Sequence, residues 1–168
     1  SVVVAAIIAL VRFKKAAPSY LPFFVFILAG FTNEIISYFT IHYLRNNAIN
    51  SNIYVLAESL ILLWLFWCWR LFDFRSKLPF VLGSAFILFW IGEVFFFASI
   101  MQFAAYFRVF YSFVIVLLSI TMVNRLITEE RGNLLKNAAF IICIAFIIYF
   151  TYKVLVEIFY IYGVIVSV

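Results

Sequence analysis

The sequence predicts an all-α polytopic transmembrane helix bundle, and three observations carry that prediction. Of 168 residues, 68% are hydrophobic, 22% aromatic and 11% charged, more apolar surface than one soluble core of this length can hide. The apolar residues gather in runs near the ~20 residues needed to cross a hydrocarbon layer. Lys and Arg, finally, are distributed unevenly between alternate loops, as the orientation of inserted helices requires. Helices are expected throughout because they satisfy every backbone donor and acceptor internally in lipid.

The opening run, Val2 to Leu10, is too short to span. A signal peptide carries its basic residues before the apolar region, whereas Arg12, Lys14 and Lys15 follow it here. The run therefore reads as the tail of a first helix in a chain truncated at its start. Five fuller segments follow, at about Tyr20 to Leu44, Ile53 to Arg70, Leu78 to Ala98, Ala105 to Val123 and Ala138 to Tyr160. Six helices are thus visible, the first partial, in one transmembrane domain covering residues 1–168. After Gly163 the apolar character resumes as Val164-Ile165-Val166, the expected start of a seventh helix cut short by truncation at this end too. The second and fourth segments open on the same pattern, S-x-L-P-F, at Ser19 to Phe23 and Ser76 to Phe80. Transporters often contain repeated helix units, but proline is common in a first helical turn, so the match marks two helix starts as readily as a duplication.

The 12 basic residues fix an orientation. Nine lie in loops on one side (Arg12, Lys14, Lys15; Arg70, Arg75, Lys77; Arg125, Arg131, Lys136), Arg45 lies on the other, and Arg108 and Lys153 lie within helices. The nine are expected to face the cytoplasm, and the polar stretch Arg45 to Asn52 to face outward. The net charge of +5 is explained by these short juxtamembrane clusters, and no nucleic-acid partner is expected. Cys68 and Cys143 sit toward the cytoplasmic ends of their helices, outside any C-x-x-C pattern, and read as inert packing residues on a reducing side.

Within the spans the sequence places Glu34, Glu58, Glu93, Arg108, Lys153 and Glu157. At about 1.5 Å rise per residue they fall roughly 5–10 Å below the outer helix ends, and Glu34 roughly 15 Å. The inner halves instead carry residues such as Trp64, Phe66 and Trp67. Each ionised group left facing lipid costs about 2.5–3.5 kcal/mol, so the six must pair or reach water. Together with Asn33 they form the expected ligand- or ion-binding set of an outward-facing polar pocket. Lys153 and Glu157 are spaced to pair along one helix face, and Arg108 needs an acid on another helix, with Glu58 and Glu93 matching it in depth. Four glutamates against two cations leave an excess of two negative charges, which one or two protonated glutamates or a bound cation would balance, since burial disfavours the charged form.

Asn33 can equally hydrogen-bond a neighbouring helix. His42 and the tyrosines Tyr38, Tyr43, Tyr54, Tyr106, Tyr160 and Tyr162 read as an outer interfacial belt, although Tyr54 is also spaced to reach Glu58. One histidine cannot supply a multi-histidine zinc site, and no nucleophile elbow, phosphate loop or dinucleotide fingerprint occurs. No catalytic residue, metal or cofactor is expected, although a carboxylate-only acid–base mechanism needs none of those signatures.

The segment N-S-N-I-Y-V-L-A-E-S-L-I-L-L-W, Asn50 to Trp64, with the preceding N-E-I-I-S-Y-F, resembles small uncharacterised multispanning bacterial inner-membrane proteins. The resemblance implies a bacterial inner membrane and adds no catalytic residue. The layout is also similar to the membrane-sensor portions of some signalling proteins. The leading expectation is a ligand-binding, sensory or accessory subunit, with a membrane-protein partner or a second copy as company. The alternatives are a proton- or cation-coupled transporter, an intramembrane lipid-modifying enzyme, and a purely structural subunit in which the charges only fix packing.

Overall fold

The computed structural model describes residues 17–72, 76–97, 102–129 and 134–166, with Val3, Ile7 and Val11, which are helical. The predicted partial helix at Val2 to Leu10 otherwise lies outside the described residues. Five helices long and apolar enough to cross a membrane are present among them, and the chain is a multi-pass, all-helical membrane protein. They are α1 (Leu21–Leu44), α2 (Ala48–Cys68), α3 (Leu78–Gly92, extended by a π-helical turn at Glu93–Phe97), α4 (Ala105–Glu129) and α5 (Ala138–Val166). They divide into two compact units, residues 1–104 and 105–168.

Three boundaries differ from expectation, each for a local reason. Helix α2 starts at Ala48 rather than near Ile53, because Asn46 Oδ1 accepts the Ala48 N–H at 2.8 Å and Asn50 and Asn52 have tertiary partners that offset their polarity. Helix α4 continues past Val123 to Glu129, and Arg125 meets Glu129 at 2.7 Å across one turn. Helix α5 runs on past Tyr160 and Gly163, so that Val164 to Val166 continue it rather than open a new helix. Gly163 does not break the helix, since glycine costs an α-helix only about 1 kcal/mol and an apolar run continues on either side.

In the first unit α1 packs on α2, and α2 on α3. Both S-x-L-P-F motifs open a helix, with Pro22 and Pro79 in the first turns of α1 and α3. A 3-10 turn at Pro18–Tyr20 precedes α1, and Tyr20 sets its ring edge-on to Trp69 at 5.8 Å. Gly30 makes room on α1 for the Tyr54 hydroxyl, which a Cβ there would meet at 3.4 Å. Tyr54 is therefore half-buried against α1, while the other predicted belt tyrosines, Tyr38, Tyr43, Tyr106, Tyr160 and Tyr162, are exposed. His42 is exposed as well, stacked on Tyr38 at 6.4 Å.

Two helix ends use arginine where glycine is usual. Arg45 (φ 54°) closes α1 and Arg70 (φ 55°) follows α2. After α2 the Leu71 N–H bonds Phe66 O at 3.1 Å and the Arg70 N–H bonds Trp67 O at 2.9 Å, the paired bonds of a Schellman close. An L-residue in this conformation is disfavoured by about 1 kcal/mol. Arg70→Gly is therefore expected to raise the thermal unfolding midpoint in detergent. A lowered midpoint would mean that the contacts of the Arg70 side chain outweigh the backbone term.

The second unit is an α4–α5 hairpin with a graded interface. Helix α5 buries Ala139, Cys143, Phe146 and Phe150, and α4 buries Tyr111, Ile115, Leu118, Met122 and Leu126. Spacings of three and four residues keep each set on one helix face. Cys143 is buried and Cys68, in the first unit, half-buried, both as free thiols.

Candidate functional site

In the second unit the α5 face that buries Phe146 and Phe150 runs on, at the same spacing, through the half-buried Lys153 and Glu157. The ionisable residues thus occupy packing positions facing α4. Arg108 Nη1 meets Glu157 Oε1 at 3.1 Å, with side chains 13% and 12% exposed. The Lys153 ammonium donates to the Tyr111 hydroxyl and lies 5.1 Å from the Tyr111 ring centre, 5.5 Å from Phe150 and 5.8 Å from Tyr149.

The expected pairing of Lys153 with Glu157 is therefore corrected. Among the described residues the ion pair of Glu157 is with Arg108. The reason is geometric, because both α5 side chains point across the hairpin and each meets a different α4 group instead of its neighbour one turn along. Arg108 does find an acid on another helix, Glu157. One turn on from Arg108, Ser112 is fully buried, and its hydroxyl has no hydrogen-bond partner among the described residues.

In the first unit the acids occupy two environments. Glu58 on α2 is 1% exposed, and Glu93, at the start of the π-helical turn, is 5% exposed. Glu34 is exposed. With α2 beginning at Ala48, Glu58 stands ten residues from the α1–α2 connection (48 to 58), as Glu34 does on α1 (34 to 44). Both therefore lie about 15 Å along their helices from that end. They share a level but not a face.

Asn33 hydrogen-bonds the neighbouring helix. Its Oδ1 accepts from Asn50 Nδ2 at 2.9 Å, and the same amide donates to Ser37 Oγ at 3.0 Å. Asn47 Nδ2 donates to Ser37 Oγ at 2.9 Å, while its Oδ1 accepts from Thr40 at 2.7 Å. Asn33, Ser37 and Thr40 lie on one face of α1, three and four residues apart, which is why α2 can meet all three.

A second polar cluster had no expected role. Asn52, 1% exposed, donates to Gln102 O at 2.8 Å and accepts the Ala104 N–H at 3.0 Å. Its own carbonyl accepts the Trp90 indole N–H at 2.9 Å. Trp90 stands one turn before Glu93 on α3, so the cluster also sets the helix that presents that buried acid. The available sequence signal was an asparagine continuing the apolar face of α2 at Ala48, Asn52, Val55, Ser59 and Leu62, all of them buried.

No group of three or more His, Cys, Asp or Glu side chains suited to a metal ion occurs among the described residues. Comparison with family models, with curated proteins and with solved structures finds no match.

Proposed function

We propose that the chain is an accessory or sensory subunit of a membrane complex, whose intramembrane charges act by pairing. The observation that carries this reading is Glu34. It is exposed near the middle of a span, and no hydrogen bond or ion pair engages it among the described residues. A lipid-facing carboxylate at that depth costs about 2.5–3.5 kcal/mol. Its flanks Ile35, Ile36 and Tyr38 are exposed too. A donor or cation on a neighbouring subunit, either a second copy or another membrane protein, relieves that cost. Charges within the α4–α5 hairpin, by contrast, are already engaged. The loose resemblance and the nine-to-one division of basic loops support a bacterial inner membrane with those loops cytoplasmic.

Glu34→Gln tests this. Assemblies extracted in mild detergent are expected to lose mass in native mass spectrometry, with the helical circular dichroism unchanged. Assemblies of unaltered mass would defeat the proposal.

A second reading, a ligand-binding pocket or a proton- or cation-coupled transporter, draws on Glu58 and Glu93. Both are buried, and Glu93 opens a π-helical turn, the kind of irregularity often found at functional sites. Proton or cation flux into vesicles reconstituted with the full chain separates this reading from the first, which requires none.

A further inference from the structure

At the other end of the first unit, two adjoining grooves share Phe80 on the α2–α3 face. One is lined by Leu63, Trp64, Trp67 and Pro79, and Trp67 meets the Phe80 ring edge-on at 5.6 Å. The other runs along α3 past Val81, Ser84, Ala85 and Leu88, with Lys77 at its mouth. The walls are apolar and open outward, with Phe80 64%, Val81 59% and Leu88 69% exposed.

Length and charge narrow the occupant. Lys77 immediately precedes the first residue of α3, and Leu88 lies eleven residues further along. That distance is about 16 Å, close to half of a ~30 Å hydrocarbon core. The groove thus begins where α3 enters the membrane and ends near the midplane, which is the reach of one leaflet's acyl chain. The ammonium at its mouth is exposed and has no hydrogen bond or ion pair among the described residues. Basic side chains at the rim of an intramembrane groove select anionic headgroups.

We infer that the groove along α3 binds one anionic phospholipid, with its headgroup phosphate at Lys77 and an acyl chain along Phe80 to Leu88, beside the tryptophans of α2. A zwitterionic lipid fills the same apolar walls, but its own ammonium cancels the attraction of Lys77, so the site discriminates by headgroup and not by chain.

The tryptophans beside Phe80 report occupancy. The full chain is reconstituted in phosphatidylcholine vesicles containing increasing fractions of phosphatidylglycerol or phosphatidylcholine, each brominated on the same acyl position. Half-maximal quenching of tryptophan emission is expected at about fivefold lower mole fraction for the brominated phosphatidylglycerol. Lys77→Gln, at an exposed position, is expected to bring the two curves together. Ser84→Phe, which fills the groove, is expected to weaken quenching by both lipids. With the native chain alone, raising the salt is expected to shrink the headgroup preference by screening. Coincident curves for the two headgroups, or a preference that survives Lys77→Gln or high salt, would overturn the assignment.

Discussion

Asn52→Ala is expected to destabilise the protein by about 1–3 kcal/mol, because it gives up the bond to the carbonyl of the exposed Gln102 and strands the buried Ala104 N–H as well. The native side chain satisfies both, at 2.8 Å and 3.0 Å, and Ala104 is 0% exposed, leaving no water to take over. Asn52→Asp should be nearly as damaging despite its matching shape. A carboxylate still accepts from Ala104, but it turns an oxygen toward the Gln102 carbonyl where the amide had a donor. Reversible unfolding in mixed micelles measures both variants, and hydrogen exchange at Ala104 shows where the loss falls. A cost below about 1 kcal/mol for Asn52→Ala would show that these bonds do not hold the 102–104 segment. The Trp90 bond runs to the backbone carbonyl of Asn52 and so survives either change, which keeps α3 in register and the effect local.

Arg108→Met should cost about 3 kcal/mol, the lower end of the range for removing one partner from a buried ion pair, since both side chains here are part-buried. It leaves Glu157, 12% exposed, without a cation among the described residues. The double variant Arg108→Met with Glu157→Gln is expected to recover a large part of that loss, since the orphaned charge accounts for most of the penalty. Equal stability of the single and double variants would show that Glu157 contributes nothing through its charge. The same comparison bears on function. A pair whose joint removal leaves a stable hairpin acts in packing, and its loss should leave assembly through Glu34 intact.

The helical class and the four complete connections between spans were legible because apolar run length and loop charge respond to the bilayer, a solvent common to every membrane protein. Helix starts at Leu21 and Leu78 were equally plain, since proline in a first turn is a local backbone matter. Where local sequence misled, a tertiary partner had changed the cost of a residue. The polar stretch from Asn46 to Asn52 reads as a loop until Ser37, Asn33 and Gln102 are there to accept its hydrogen bonds. Lys153 and Glu157 read as a pair along one helix until Tyr111 and Arg108 are present on α4. Of the predicted site residues, Asn33 faces α2, Arg108 and Glu157 face each other, Lys153 reaches Tyr111, Glu58 and Glu93 are buried, and Glu34 is exposed. Sequence depth set Glu34 below Glu58, whereas the start of α2 at Ala48 brings the two to one level, and depth could not assign a face.

By itself, then, the sequence determined that this is a multi-pass helical membrane protein, which residues within its helices are ionisable, and which loops are basic. These follow from composition and run length, quantities read along the chain. Only the tertiary structure decided which side chains are buried, which acid meets Arg108, and that Asn52 works as a clamp while Glu34 stays uncovered. Those outcomes depend on the rotation of each helix about its axis. With apolar residues on all sides of most helices, that rotation is set by contacts with neighbouring helices and not by any periodicity in the sequence.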